Sequence, residues 1–187
     1  MKLVFEAAQE IQQFINDKGW TFCFIGGVAL QRWGIPRITN DVDLTLLTGF
    51  GTEDEFIDPI LSTFVPRLSE AKEFALKTRV LLVRIGNVGI DISLGAIAFE
   101  ESSIARSSVW EVTQQIALRT CSAEDLIVHK AFAGRLQDWA DIDNVLLVQQ
   151  DLDWDYIEEQ LLPLLELSYR PETMDELREL RKRRKSS

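Results

Sequence analysis

The sequence predicts an α+β (mixed α/β) fold: a short twisted mixed sheet flanked by helices, followed by a C-terminal helical segment. Three observations carry this reading. "NDVDLTLL" alternates, with Val42, Leu44 and Leu46 on one side and Asp41, Asp43 and Thr45 on the other, the period-two pattern of a half-buried strand. "TRVLLVRIGNVGIDISLG" sets Gly86-Asn87 between two apolar runs, which predicts a hairpin. From Ser122 onward the chain reads as helix after helix. The expected organisation is a main domain over residues 1–150 and a helical extension over 151–187 that ends in a basic tail.

In chain order, "EAAQEIQQFINDKG" spaces Ala7, Ala8, Ile11, Phe14 and Ile15 as one helix face, with Gly19 as the stop. "WTFCFI" reads as a strand, and "GGVALQRWG" as a turn and short helix closed by Gly34 and Pro36. "EDEFIDPILSTFV" reads as helical, with Pro59 disturbing its register. In the hairpin's second arm Val88, Ile90 and Ile92 share a face, leaving Asp91 and Ser93 on the other. "WEVTQQIALRTCS" is ambiguous and mildly strand-like. Ser122 and Asp125 fit a capping box that opens the helix "DLIVHKAFAGRL". "DWADIDNVLLVQQ" carries a stripe of Trp139, Ile142, Val145 and Leu146, and two more helices follow around "YIEEQLLPLLEL" and "ETMDELRELRKRRK".

At 187 residues, 46% of them hydrophobic and 27% charged, the chain can bury a core without disulfide staples. The N-terminal stretch lacks the pattern of a signal peptide, and no apolar run nears the roughly 20 residues needed to cross a bilayer. Cys23 and Cys121 are expected to be reduced, so a cytoplasmic protein without membrane partners is the default. The net charge is −10; the last ten residues carry six basic groups and one acid, so the tail is +5 and the remainder −15. An acidic body disfavours broad duplex binding. The tail could contact RNA phosphates, although a frayed, solvated helix end is the plainer expectation.

Asp41 and Asp43 stand on one face of a strand, about 7 Å apart at Cα from a rise of ~3.4 Å per residue. Two like charges so close raise each other's pKa unless cations neutralise them. Divalent ions solve that problem. Mg²⁺ takes one or two carboxylates plus substrate phosphates, and paired ions ~3.5–4 Å apart activate the attacking oxygen and steady the leaving group. Bridging two ions calls for a third acid, and Asp91 in "GIDIS" offers one. The ambiguity is that a lone Asp between isoleucines also fits a solvent-facing position. Gly26-Gly27, between a strand and a helix, would let backbone N–H groups approach a phosphate chain; a tight turn needs the same residues.

"IGG" followed fourteen residues later by "DVDL" resembles the nucleotidyltransferases of the DNA polymerase beta superfamily. The fuller string "GGVALQRWGIPRITNDVDL" is more narrowly similar to the abortive-infection (AbiEii-type) nucleotidyltransferases of toxin–antitoxin systems, including an Arg-x-Thr matched by Arg37 and Thr39. "DLIVHKAFAGRLQDWADID" resembles that group's downstream helix with Lys, then Arg and Asp. The likeness spans roughly residues 20 to 145. It implies a nucleotidyltransferase-like domain in which Asp41, Asp43 and Asp91 bind two Mg²⁺ ions, with Mn²⁺ as a substitute. Asp91 would also help deprotonate the acceptor hydroxyl. Gly26 and Gly27, with Arg37 and Thr39, would hold the nucleoside triphosphate, and Lys130 would contact phosphate or the transition state. Many members have Ser as the second residue of the glycine pair, where Gly27 here leaves only backbone donors.

The expected activity is transfer of a nucleoside monophosphate from a triphosphate to an acceptor hydroxyl, with release of pyrophosphate. The acceptor stays open among a tRNA end, a protein and a small molecule. The alternative is a non-catalytic binding module of the same fold, such as one half of a toxin–antitoxin pair with an antitoxin partner. Arg37 could pair with phosphate or with Asp41. Asp138 and Asp141, three apart on a helix, could hold Lys130 or Arg135, although a solvated acidic face is the plainer reading. His129, the one histidine, reads as structural and excludes His-rich metal sites.

Overall fold

The alternation in "NDVDLTLL" becomes the spine of the sheet. A computed structural model describes residues 2–185, and its contacts divide the chain into two units: Met1–Val28 with Ile38–Cys121, and Ala29–Arg37 with Ser122–Ser187. The boundary expected at residue 150 falls in the loop between two helices of the second unit.

The first unit opens with helix α1 (Lys2–Asp17), which buries Val4, Ala7, Ala8, Ile11 and Ile15, residues three and four apart on one stripe. Gly19 ends the segment at φ +69°, a left-handed conformation that only glycine adopts at little cost. Then come β1 (Phe22–Phe24), α2 (Gly26–Trp33), β2 (Asp41–Leu47), α3 (Asp54–Thr63), β3 (Val65–Pro66), α4 (Ala71–Thr78), β4 (Val80–Ile85), β5 (Val88–Gly95), α5 (Ala98–Ala105), β6 (Ser108–Glu111) and β7 (Ala117–Thr120). Pro59 is accommodated inside α3, and the hydroxyls of Ser62 and Thr63 donate to its carbonyl. The ambiguous segment after residue 108 resolves into the antiparallel pair β6–β7.

The strands form one open, mixed sheet in the order β3-β4-β5-β2-β1-β7-β6. β2 runs parallel to β5 and antiparallel to β1, while β1 runs parallel to β7. The expected hairpin is present as β4–β5, with Gly86 at φ +57° in its turn. Val42, Leu44 and Leu46 of β2 join Ile90, Ile92 and Leu94 of β5 and the apolar stripe of α1 in the core. Strand alternation therefore sends Asp41, Asp43 and Asp91 to the opposite face.

The second unit takes the rest of α2 and four helices: α6 (Ala123–Ala133), α7 (Leu136–Val148), α8 (Trp154–Ser168) and α9 (Glu172–Lys185). The cap expected at Ser122 is formed: its hydroxyl accepts from the Asp125 backbone at 3.1 Å and donates to the Asp125 carboxylate at 2.7 Å. Gly134 closes α6 at φ +66°. On α7 the buried stripe is Asp138, Asp141, Ile142 and Val145, with the expected Trp139 and Leu146 only half-buried. The basic tail also departs from expectation. Up to Lys185 it is regular helix, with Arg178 paired to Glu158, Arg184 to Asp143, and Arg181 stacked 4.3 Å over the Trp154 ring. The expectation of a loose end missed these partners because they lie on helices distant in sequence; Ser186 and Ser187 lie outside the described residues. Among the described residues, no helix is long and apolar enough to cross a membrane.

His129 is half-buried with its Nε2 shut off from solvent, and desolvation, aided by the adjacent Lys130, pushes its pKa down from 6.5 to about 4. The unfolded chain takes up this proton below pH 6.5 and the folded protein does not until about pH 4. Stability from the neutral ring is thus complete above pH 6.5 and is lost as pH falls towards 4, by about 3 kcal/mol. Urea titrations of the parent at a series of pH values should show that slope, and His129→Leu should flatten it.

Candidate active site

Two adjoining strands build the acidic face. In the parallel β2–β5 register Asp41 lies opposite Gly89 and Asp43 opposite Asp91. The three carboxylates expected from the sequence therefore share one patch of sheet, with Asp43 and Asp91 side by side across the strand boundary. A backbone hydrogen bond from Ile25 N–H to the Asp43 carbonyl, 3.0 Å, brings the glycine pair alongside. Gly26 has φ +55°, and a Cβ there would stand 2.6 Å from Asp43 Cγ. Gly27 N–H points to Asp43 Oδ2 at 3.4 Å, and a Cβ on Gly27 would stand 2.9 Å from Thr39 Cβ. Thr39 is buried and its hydroxyl donates to the Asp41 carbonyl at 3.2 Å. The bend's missing side chains thus make room for the second aspartate and for Thr39.

Two members of this patch have no counterpart among the residues singled out in the sequence. Arg67, just after β3, gives its backbone N–H to the Leu82 carbonyl at 3.0 Å, and Leu82 is the register partner of Asp91. From that anchor its guanidinium forms an ion pair with Asp91. Gly89 is the floor beneath it: a Cβ there would lie 2.9 Å from Arg67 Nη1 and would overlap the Asp41 carboxylate. Glycine inside a strand marks close approach, so "VGIDIS" held that signal. Arg67 left none, being separated from Asp91 by 24 residues. Burial pushes the Asp91 carboxyl above its ordinary value, Arg67 opposes the rise, and the negative charge of Asp41 adds to it. Asp41, Asp43 and Asp91 offer carboxylate oxygens on this face, the hard ligands that suit Mg²⁺. Among the described residues, no three acidic, His or Cys side chains converge as a finished metal cage.

Two of the remaining expected residues meet within the second unit. Lys130 and Arg37 both belong to the second unit and share one carboxylate, Asp141. Arg37 grips it with two bonds, Nε to Oδ1 at 2.7 Å and Nη2 to Oδ2 at 2.8 Å. The Lys130 ammonium donates to Asp141 Oδ2 at 2.6 Å and to Asp138 Oδ1 at 3.3 Å. Lys130 is 5% exposed and Asp141 not at all. The solvated acidic face expected for Asp138 and Asp141 is therefore a buried ion-pair network, because both acids face inward along the α7 stripe. Burial works to raise the Asp141 carboxyl, but hydrogen bonds from Arg37 and Lys130 outweigh it and hold it at about 2. Burial likewise acts against Asp138, where Arg135 and Lys130 bring the value below the ordinary range.

An open mixed sheet carrying three aspartates on adjoining strands beside a paired-glycine bend defines a nucleotidyltransferase fold. Solved structures share the architecture. An antigenic nucleotidyltransferase-like protein from Paracoccidioides brasiliensis matches with a TM-score of 0.58 at 13% identity, over 94% of this chain and 92% of that one. The lincosamide antibiotic adenylyltransferase LnuA matches with a TM-score of 0.51 at 12% identity, over 75% of this chain and 94% of its own. No curated protein matches the sequence. The family model described as "nucleotidyltransferase of unknown function (DUF6036)" matches residues 2–186, and the chain belongs to this family of nucleotidyltransferase enzymes.

Proposed function

We propose that the protein transfers a nucleoside monophosphate from a nucleoside triphosphate to an acceptor hydroxyl, using divalent cations held by Asp41, Asp43 and Asp91. One observation carries the reading: the β2–β5 register sets Asp43 against Asp91, with Asp41 two residues along the same face, away from the apolar core. Like charges gathered on a sheet face are unfavourable by themselves, and Mg²⁺ or Mn²⁺ would relieve them. The bound metal supplies Lewis-acid charge neutralisation and orients the triphosphate.

The protein's own groups do the rest. Asp91, whose carboxyl is raised by burial, is suited to receive the acceptor's proton. The backbone N–H groups of the Gly26-Gly27 bend, of which that of Gly27 faces Asp43 Oδ2, are proposed phosphate contacts. Thr39 and Arg37 are proposed nucleotide contacts, and Lys130 a phosphate contact whose ammonium is shared with Asp138 and Asp141. The acceptor class is a tRNA end, a protein or a small molecule, and the basic face of α9 would serve an RNA acceptor. The AbiEii-like string is what supports a toxin–antitoxin setting with an antitoxin partner.

The experiment is incubation with each α-labelled nucleoside triphosphate, Mg²⁺ or Mn²⁺, and host RNA, protein and small-molecule fractions in turn. Label entering one fraction with stoichiometric pyrophosphate release is the expected result. Substrate loss without pyrophosphate would indicate a phosphodiesterase instead, and no turnover in any fraction would favour the non-catalytic binding module.

A further inference from the structure

We propose that Arg67 is the built-in counter-cation of the acidic face. It pairs with Asp91 and is displaced when a divalent cation binds there, which frees its guanidinium for the phosphates of the nucleotide. This rests on the reading of Asp41, Asp43 and Asp91 as cation ligands and adds how the site is kept closed until it is loaded.

Geometry leads to this assignment. The Arg67 backbone is fixed to Leu82, one strand across from Asp91, so its side chain starts at the edge of the acidic patch. The guanidinium pairs with Asp91 and lies over Gly89, whose missing Cβ leaves space for Arg67 and the Asp41 carboxylate together. A positive group is thus placed among carboxylates that repel one another, as a metal ion would be. A divalent cation that takes Asp91 Oδ1 competes directly with the guanidinium for that oxygen. The pair is also built to open. The Arg67 and Asp91 side chains are 35% and 34% exposed, and ion pairs of such exposure are weak enough for a divalent ion to win. The short segment carrying Arg67 lies between the two-residue strand β3 and α4. Guanidinium groups bind carboxylate and phosphate with the same two-pronged geometry, so the displaced side chain can exchange one anion for the other.

The test is isothermal titration of Mn²⁺ into the full chain, followed by titration of inorganic pyrophosphate into the Mn²⁺-loaded protein. Parent, Arg67→Gln and Arg67→Lys are compared, with thermal melts to verify folding. Arg67→Gln should bind bare Mn²⁺ about five-fold more tightly, yet bind pyrophosphate about ten-fold more weakly. Arg67→Lys, which keeps the charge but not the fork, should remain near the parent for Mn²⁺ and fall between the two for pyrophosphate. Should Arg67→Gln be unfolded, Arg67→Ala takes its place with the same expected and overturning results. Mn²⁺ affinity that is unchanged or weaker in Arg67→Gln, with the parent binding Mn²⁺ normally, overturns the counter-cation role and leaves the metal reading standing. No Mn²⁺ binding by any of the three proteins overturns both.

Discussion

Asp43→Asn is expected to lose nucleotidyl transfer by on the order of 10³-fold while the fold persists. The size follows from the proposed cation role, since a bound metal would contribute several kcal/mol of transition-state charge stabilisation at about 1.36 kcal/mol per tenfold in rate. The persistence follows from the surroundings of the side chain. Asp43 is half-exposed, on the sheet face opposite the core, and its neighbour across the register is another carboxylate. Replacing one oxygen by an amide keeps the shape that Gly26 accommodates and relieves repulsion with Asp91. The same outcome is expected for Asp41→Asn. Initial rates of pyrophosphate release and thermal melts, taken together, check it. A variant that unfolds would make Asp43 a structural residue, and one that retains activity would remove it from the chemistry.

Asp141→Ala acts in the opposite way, through stability. The substitution leaves the buried Lys130 ammonium with Asp138 alone and strips Arg37 of its two-pronged partner. Removing one member of a buried ion pair costs about 3–5 kcal/mol because the partner charge remains desolvated. For a chain of this size that lowers the melting temperature by about 10 °C. Lys130→Met with Asp141→Leu, which withdraws the ammonium together with its main partner, should recover part of the loss. Denaturant midpoints for the single and double variants measure the coupling. A loss within about 1 kcal/mol for Asp141→Ala would mean that water or a rearranged Asp138 already compensates the cations.

What the sequence disclosed about the site follows the range of its signals. The alternation around Asp41 and Asp43 and the apolar flanks of Asp91 are local, so the face carrying the three acids could be read directly. The pairing of β2 with β5 is non-local. The third acid that two bridged ions need and the superfamily likeness both point to Asp91, but neither fixes the register that sets it beside Asp43. Arg67 had no local mark, since its side chain matters through a contact 24 residues away. Asp138 and Asp141 were misread for a related reason. Helical spacing puts them on one face but does not say which face is inward, and charged residues face water unless a partner is buried with them. Arg37 and Lys130 are those partners, drawn from a loop and a helix that precede Asp141 by 104 and 11 residues. The family match secures the broad class, and the AbiEii-like string adds a narrower likeness that the family model does not name.

The parallel alignment of β2 with β5 ties the placement of the acids to that of the hydrophobic side chains. Seven consecutive rungs fix which residue stands beside which, and the alternate rungs are the apolar ones. Inserting one residue into either strand would turn carboxylates inward and isoleucines outward, so a shifted site could arise only by destroying the interior. Loops between the two strands carry no such penalty. Changes confined to those loops should therefore leave the spacing of the aspartates intact, protected by the same forces that keep the chain folded.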